Sequence, residues 1–295
     1  MKTSVVIVTK NRKDFLLRAI DSVVNQSVKA YEIIVVDDAS DYDIKSVINN
    51  LNVESLKLII NPKSFGGAIA RNIGAKATNG DILMFLDDDD AWQVEKIQTQ
   101  LECFKNDEKL ALVYSGRKIV KDSNLSLVIR KSASKKGGDI SKLIFEKNYV
   151  GITSAVAMKK NIFNSVGGFD ENLPCRQDYD LWIRISAHGN VAWDKKYSVI
   201  YTLFANPMNQ ISGRADKHEF AADYIINKYS SYLDNLPFIL KRKSIAEKYF
   251  SVLKSYRRTD YKKSLEYAFK SFVSFPSIKT LILLLPQTIL KALGI

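Results

Sequence analysis

The sequence has few cysteines, few histidines and no long apolar run, and each shortage excludes a class of protein. Two cysteines, Cys103 and Cys175, cannot form a disulfide framework, so we expect a reducing compartment and two small buried side chains. The only histidines are His188 and His218, and no Ser–His or Cys–His arrangement for a covalent nucleophile is evident. No run reaches the roughly 18 apolar residues of a transmembrane helix. The apolar stretch in MKTSVVIVTKNR is too short for a signal peptide, so we expect a cytoplasmic protein.

Positive charge is concentrated near the C-terminal end. Residues 236–295 contain twelve lysines and arginines against three acids, which gives 12 − 3 = +9 of the chain's net charge of +12. Such a tail suits an anionic partner, either a membrane surface or a nucleic acid. The whole chain, with 295 residues, 46% hydrophobic and 26% charged, has an ordinary globular composition. Its length suits one large domain with an appendage, or two domains.

Strand-like and helical segments alternate at short intervals in the first half of the chain. The predicted strands are Thr3–Thr9, Tyr31–Val36, Leu56–Ile60 and Asp81–Leu86, and the helical patterns between them cover 15–24, 43–51 and 66–77. This alternation predicts a mostly parallel sheet with helices on both faces.

Polar side chains follow three of these strands. Thr9 and Asn11 lie at the end of the first, Asp37 and Asp38 at the end of the second, and Asp87–Asp90 at the end of the fourth. Ligands of such sheets bind beyond the carboxyl ends of the strands. We therefore expect the three clusters to meet at one edge of the sheet.

The segment Ile82–Trp92, ILMFLDDDDAW, carries the strongest chemical signal. Five apolar residues run directly into four carboxylates and then an aromatic, Trp92, that either packs in the core or lines a pocket. Adjacent anions repel one another, and Mg²⁺ or Mn²⁺ held by carboxylate oxygens would offset them and bring a phosphate-bearing substrate. The alternative is a solvated acidic turn, which four acids at the end of a core strand disfavour.

The rest of the chain adds three apolar strands, two helices and a helical end. The strands are Leu110–Tyr114, Ile152–Met158 and Val199–Phe204; helices are predicted at 94–104, 178–187, 220–233, 238–256 and 261–272. Lys131–Gly138, KSASKKGG, has no periodicity and is predicted to be a flexible loop that could cover a site.

Five motifs together resemble the family-2 glycosyltransferases. SVVIVTKNR, VVDDAS, GGAIARNIGA, FLDDDDAW and QDYDLW occur in the order and spacing of that family, within roughly residues 1–212. The resemblance implies an α/β GT-A fold, a Rossmann-like mixed sheet flanked by helices, as a catalytic domain over residues 1–215. It also implies a metal-dependent, inverting transfer of a sugar from a nucleotide-diphosphate donor, most typically a UDP-sugar, to a hydroxyl of a glycan or lipid-linked acceptor in surface polysaccharide synthesis.

The same resemblance implies roles for particular residues. The nucleotide sugar would contact residues at the strand ends and one arginine: Thr9, Asn11, Asp38, Arg71, Asp87 and Asp88. Asp89, helped by Asp87, would hold Mn²⁺ or Mg²⁺, and His218 is a weaker candidate for that metal. Asp178 matches the family's general base, which takes the proton of the acceptor hydroxyl.

Some features depart from the family or leave alternatives open. Asp178 could be only a helix cap, and Asp180 is a rival for the base. The family often has Glu where this sequence has Gln177, which puts a second carboxylate in doubt. The family often has a histidine shortly before an Asn-Gln-Ile-Ser-like stretch. Residues 204–212 read FANPMNQIS, so that histidine is missing here.

Two other functions compete with sugar transfer. A sugar-phosphate nucleotidyltransferase also joins acids, a metal and a basic residue at a sheet edge. It would, however, need a glycine-rich phosphate loop near the first strand, and Gly66 and Gly67 come too late. A nucleic-acid-binding protein would explain the charge of +12, but the expected sheet edge is acidic.

Residues 216–295 are predicted to form a helical, basic C-terminal region. Its apolar end could lie in a membrane interface, with lysines on anionic head groups, and hold the protein on the inner face of the plasma membrane. Deleting Ser277–Ile295 would then release the protein from membranes. The alternative is a helical subdomain with a solvated basic face.

Overall fold

The computed structural model describes residues 1–205, 214–257 and 259–283. The chain divides into two compact units. The first unit comprises Met1–Ser141, Tyr149–Asn172 and Gln177–Ala205, and the second comprises Lys142–Asn148, Leu173–Arg176 and Asn206–Ile295.

Eleven strands lie in the first unit within the described residues. In chain order they are β1 (Thr3–Thr9), β2 (Glu32–Asp37), β3 (Leu56–Ile60), β4 (Ile82–Asp87), β5 (Ala91–Trp92), β6 (Leu110–Tyr114), β7 (Arg117–Lys121), β8 (Arg130–Ser132), β9 (Val156–Lys159), β10 (Asn190–Trp193) and β11 (Val199–Leu203). Seven of them form the main sheet, in the order β10-β6-β9-β4-β1-β2-β3.

The main sheet is mixed because of a single strand. β9 runs antiparallel to both of its neighbours, β4 and β6, whereas the other pairs are parallel. The predicted α/β fold with a mixed sheet is therefore confirmed. The expected strand Ile152–Met158 is correct only from Val156, since Thr153–Ala155 forms a 3₁₀ turn.

A second, four-stranded sheet has the order β5-β11-β7-β8. The sequence predicted only β11 of these strands. Lys131–Gly138 was expected to be a loop, but its first two residues belong to β8, which pairs with β7.

Six helices belong to the first unit: α1 (Lys13–Val24), α2 (Ile44–Asn49), α3 (Gly67–Lys76), α4 (Lys96–Asn106), α5 (Lys160–Ser165) and α6 (Gln177–Ser186). Helices cover both faces of the main sheet. Successive side chains of a strand point to opposite faces, and in β1 the side chains on both faces are apolar and buried. The buried face of α1 shares a core cluster with Val5 and Ile7, whereas α3 approaches Val6 through Gly74.

The described part of the second unit is helical: α7 (Ala215–Lys228), α8 (Ser230–Asp234), α9 (Phe238–Tyr256), α10 (Tyr261–Ser274) and α11 (Ile278–Ile282). The predicted helix over 220–233 is interrupted at Tyr229, which separates α7 from α8. No helix among the described residues is long and apolar enough to cross a membrane. The apolar end predicted at 278–293 lies outside the described residues from 284 onward.

Candidate active site

The ends of β1 and β4 meet through a side-chain contact. In the parallel register Val8 lies beside Asp87, so Thr9 comes level with the acids. The Thr9 hydroxyl donates a hydrogen bond of 2.8 Å to Oδ2 of Asp88. Thr9 also lies beside Asp37 in the register of β1 and β2, and its carbonyl accepts a hydrogen bond of 2.9 Å from Asp38 N. The structure thus brings the three polar clusters together at one edge of the sheet.

Asp38, which follows β2, holds the loop that leads into α3. Its carboxylate accepts hydrogen bonds from the side chains of Asn61 and Ser64 and from the backbone N–H groups of Phe65 and Gly66. Burial alone would raise the pKa of Asp38, but these donors together lower it below its usual value. Asp38 is therefore a carboxylate that fixes the position of the following loop.

Asn11 joins the loop after β1 to the loop after β2. It adopts a left-handed backbone conformation, with φ of 56°, which asparagine tolerates better than most residues. Its amide nitrogen donates to Asp41 Oδ2 at 2.7 Å, and its carbonyl oxygen accepts from Asp41 N at 2.7 Å.

Arginines offset the charge of three of the four consecutive aspartates. Arg12 donates to Oδ1 of Asp88 at 3.1 Å and to Oδ2 of Asp89 at 2.7 Å. Arg71 donates to Oδ1 of Asp87 at 2.5 Å. A metal ion alone was the cation expected here from the sequence.

Crowding of carboxylates still disfavours full ionisation of Asp89. Burial, followed by the charges of Asp87 and Asp88, raises the pKa of Asp89 to about 7. Burial also raises the pKa of Asp88, although Arg12 opposes it. An added positive charge would therefore find a site that favours it.

Asp90 serves the fold of this edge. Its side chain is fully buried and accepts from the Ser154 hydroxyl at 2.6 Å and from Thr202 N at 3.1 Å. Trp92 is also buried, and its indole N–H donates to the Ser154 carbonyl at 2.9 Å. Of the two alternatives for Trp92, the structure shows core packing.

Arg71 links the acidic edge to the first turn of α6. Besides Asp87, its guanidinium donates to Oε1 of Gln177 at 3.3 Å. Burial lowers the pKa of Arg71, but Asp87 and Asp178 raise it by more. Asp178 therefore lies within electrostatic reach of the arginine that holds the acidic edge.

Asp180, the rival for the general base, has a structural role. Its side chain is fully buried and pairs with Arg184 at 2.6 Å, one helical turn later. The same guanidinium donates to the carbonyls of Val166 and Gly168. A carboxylate held in this way is unsuited to take a proton from a substrate.

His218 lies in α7, in the second unit. Its Nδ1 accepts a hydrogen bond of 3.3 Å from Nε of Arg176, which belongs to the same unit. Its suggested role as a metal ligand stays a prediction. Most of the stretch FANPMNQIS lies outside the described residues.

Two arginines of this edge were not singled out from the sequence. Arg12 is the last residue of the first motif, SVVIVTKNR, so its place after β1 was a usable signal. Arg18 projects from α1; its Nη2 donates to the Asp89 backbone carbonyl at 2.5 Å and to the Thr202 hydroxyl at 2.7 Å. Its partner Thr202 is 184 residues away, and no local pattern indicates that contact.

The carboxylates fit a divalent cation by their chemistry. Mg²⁺ and Mn²⁺ prefer oxygen ligands, and Mg²⁺ commonly takes one or two carboxylates and completes its shell with water and substrate phosphates. Asp87 and Asp89 supply two such carboxylates. The raised pKa of Asp89 indicates that the negative charge of these carboxylates is not fully compensated. Among the described residues no set of three or more His, Cys, Asp or Glu side chains could hold a metal on its own.

Solved structures share this fold. The chain resembles S. aureus TarS 1-349 in complex with UDP-GlcNAc, with a TM-score of 0.59 and 15% identity over 95% of this chain and 90% of that one. At this level of identity the likeness establishes the fold. The mixed sheet flanked by helices is therefore the GT-A fold, as the motifs implied.

The family follows from the sequence comparison. The model of glycosyl transferase family 2 matches residues 4–167, more than half of the chain, and the protein belongs to this family. Family membership decides against the nucleotidyltransferase and nucleic-acid-binding alternatives.

Two named relatives act on lipid-linked sugars. The Escherichia coli UDP-Glc:alpha-D-GlcNAc-diphosphoundecaprenol beta-1,3-glucosyltransferase WfaP is 30% identical over 63% of this chain and 70% of its own length. The Campylobacter jejuni GalNAc(5)-diNAcBac-PP-undecaprenol beta-1,3-glucosyltransferase is 36% identical over 49% of this chain and 47% of its own. The chain thus matches less than half of the second relative.

Proposed function

We propose that this glycosyltransferase moves a sugar from a UDP-sugar to a hydroxyl group of a lipid-linked glycan, with inversion at the sugar carbon, in the assembly of a surface polysaccharide. The observation that carries the proposal is the contact of Arg71 with both Asp87 and Gln177. It joins the acidic end of β4 to the helix turn that contains Asp178. The names of the two relatives support the class of acceptor.

The residues divide the work of the transfer. Asp178 accepts the proton of the attacking hydroxyl, which leaves the hydroxyl oxygen free to bond to the sugar carbon. Arg71 lies beside the leaving diphosphate and stabilises the charge that develops on it. Thr9, Asn11 and the loop held by Asp38 surround the nucleoside.

Asp89 and Asp87 would hold Mn²⁺ or Mg²⁺. When bound, the ion supplies positive charge to the diphosphate as it leaves the sugar. Arg12, which pairs with Asp89, would compete with that ion for the carboxylate.

Donor screening with purified protein tests the proposal. UDP release from one UDP-sugar, dependent on added Mn²⁺ or Mg²⁺, is expected in the presence of a lipid-linked acceptor. Release that is unchanged by a chelator would contradict the metal dependence, and a donor carrying another nucleotide would contradict the choice of UDP.

Replacing the base should separate binding from transfer. We expect Asp178→Asn to lower the transfer rate by at least roughly 100-fold while it leaves UDP-sugar affinity within a few-fold, because the amide cannot accept the proton. Single-turnover kinetics and calorimetric titration of the donor measure the two effects. Turnover at the wild-type rate would eliminate Asp178 as the base.

A further inference from the structure

The helix α10 exposes five large apolar or aromatic residues and buries mainly small ones. In a helix of a globular protein the apolar stripe normally faces the core. Here the side facing the unit consists of Ser264, Tyr267, Ala268 and Ser271, whereas the exposed residues are Tyr261, Leu265, Phe269, Phe272 and Val273. The exposed fraction of Phe269 is 70%.

The exposed residues form one continuous stripe. Tyr261, Leu265 and Phe269 follow one another at intervals of four, and Phe272 and Val273 continue the same side of the helix at 3.6 residues per turn. Residues scattered singly over a surface would need no explanation, but a stripe along a whole helix indicates something that covers it.

The neighbouring helices extend the exposed apolar area at one end of α10. Arg242 of α9 donates to the carbonyls of Val273 and Ser274, so the start of α9 lies beside the end of α10. At that start Phe238 is 71% exposed, and on the following α11 Ile278 is 75% exposed. We call the stripe on α10, with Phe238, Ile239, Ile278 and Leu281, the apolar surface.

Positive charge surrounds the apolar surface. Apart from the buried Lys248, the helices α9, α10 and α11 contain eight lysines and arginines and two acids, a balance of 8 − 2 = +6. Lys262 lies exposed on α10 beside the stripe, and Arg242 lies over the ring of Phe238. A second copy of this chain would bring a rim of the same sign against this one, which disfavours self-association through the surface.

We infer that the apolar surface inserts shallowly into the interface of a lipid bilayer that contains anionic lipids. Aromatic and branched side chains enter the boundary between head groups and acyl chains, while the surrounding lysines and arginines meet anionic head groups. The inference rests on the exposure and charge of the second unit and is independent of the proposed donor and acceptor.

Vesicle sedimentation tests the inference without donor or acceptor. Wild-type protein should sediment with vesicles of phosphatidylcholine and phosphatidylglycerol, and less so with phosphatidylcholine alone or in high salt. In the double variant Phe269→Glu/Ile278→Glu, binding should fall at least roughly tenfold, because two charges replace two inserting side chains.

The control places the same two charges elsewhere. Val94→Glu/Leu127→Glu changes two residues of the first unit that are 56% and 58% exposed, and this variant should bind vesicles like the wild type. Circular dichroism and donor binding, unchanged in the double variant, verify its fold and keep this test separate from that of the proposed function.

Three results would overturn the inference. The first is that the wild-type protein does not bind anionic vesicles. The second is that the double variant binds them as well as the wild type does, even if deletion of 284–295 abolishes binding. The third is that analytical ultracentrifugation shows a dimer for the wild type and a monomer for the double variant. The apolar surface would then be a contact between two copies of the chain.

Discussion

Arg12 contacts two of the aspartates of the candidate site, Asp88 and Asp89, and its side chain is only 29% exposed. Four adjacent acids at the end of a core strand demand a compensating charge, and that much follows from the sequence. Which residue supplies it does not, because Arg12 and Asp89 are 77 positions apart and meet only when β1 pairs with β4. The same holds for Arg71 and Gln177, at a separation of 106.

Removal of this guanidinium should make the protein more dependent on a divalent cation. In Arg12→Ala the carboxylates of Asp88 and Asp89 lose their ion pairs, so we expect the free energy of unfolding without metal to fall by about 1–2 kcal/mol. Added Mn²⁺ should then raise the melting temperature of the variant more than that of the wild type. Thermal denaturation at pH 8, with and without Mn²⁺, measures both.

An exposed ion pair provides the matched control for Arg12. Arg214 contacts Asp216 at 3.4 Å, and both side chains are largely in solvent. Arg214→Ala should therefore leave both the stability and the response to Mn²⁺ close to wild type. An equal effect of Mn²⁺ on Arg12→Ala and the wild type would show that Arg12 does not compete with a cation.

Elements with a strong local pattern were predictable, and elements defined by their partners were not. The positions of β1, β2 and β4 could be predicted from their buried apolar runs. The polar residues that follow these strands indicated the candidate site. The two-residue β5 exists only because β11 pairs with it, and the polar β7, RKIVK, has a weak strand pattern. The antiparallel direction of β9 likewise depends on β4 and β6, which no local pattern encodes.

The seating of α3 on the main sheet depends on one residue without a side chain. A Cβ at Gly74 would lie 2.4 Å from Cγ1 of Val6 and 3.0 Å from Cγ2 of Val36. Val6 is fully buried and stiff at χ1, so it cannot move aside. We expect Gly74→Ala to destabilise the protein by about 1–3 kcal/mol in urea denaturation.

The sign of this effect distinguishes packing from helix propensity. At an exposed position inside a helix, glycine to alanine stabilises by about 0.5–1 kcal/mol. Lys76→Ala, at an exposed position of the same helix, serves as the control and should change the stability by less than about 0.5 kcal/mol. A Gly74→Ala variant more stable than the wild type would show that α3 can shift on the sheet.

At the scale of the whole molecule, each of the two units has an interior of its own kind. The first is built around an apolar cluster of strand and helix residues. The second has a smaller cluster with two stacked tyrosines, Tyr256 and Tyr267, and it encloses a lysine, Lys248, whose ammonium group donates to the Phe145 carbonyl. Composition revealed the excess of positive charge in this region but could not show that one of the charges is buried.

The buried lysine makes the stability of the protein depend on pH in a defined direction. Burial, and then the charge of Arg176, lowers the pKa of Lys248 to about 7 in the folded state, whereas the unfolded chain keeps the ordinary value of 10.5. Between these values the unfolded state binds the extra proton, so the free energy of unfolding rises with pH, by at most about 1.4 kcal/mol per pH unit. Below about pH 7 both states bind the proton and this contribution to the slope disappears.

Comparison of two lysine variants separates the contribution of Lys248 to the pH dependence of stability from that of the other titrating groups. In Lys248→Met the unfolding free energy, measured with urea from pH 6 to pH 9, should rise less steeply above pH 7 than in the wild type. Lys262→Met, at an exposed lysine of the same unit, should keep the wild-type slope. If Lys248→Met also keeps that slope, Lys248 remains charged in the folded protein, and its burial must then be offset by more than the Phe145 carbonyl.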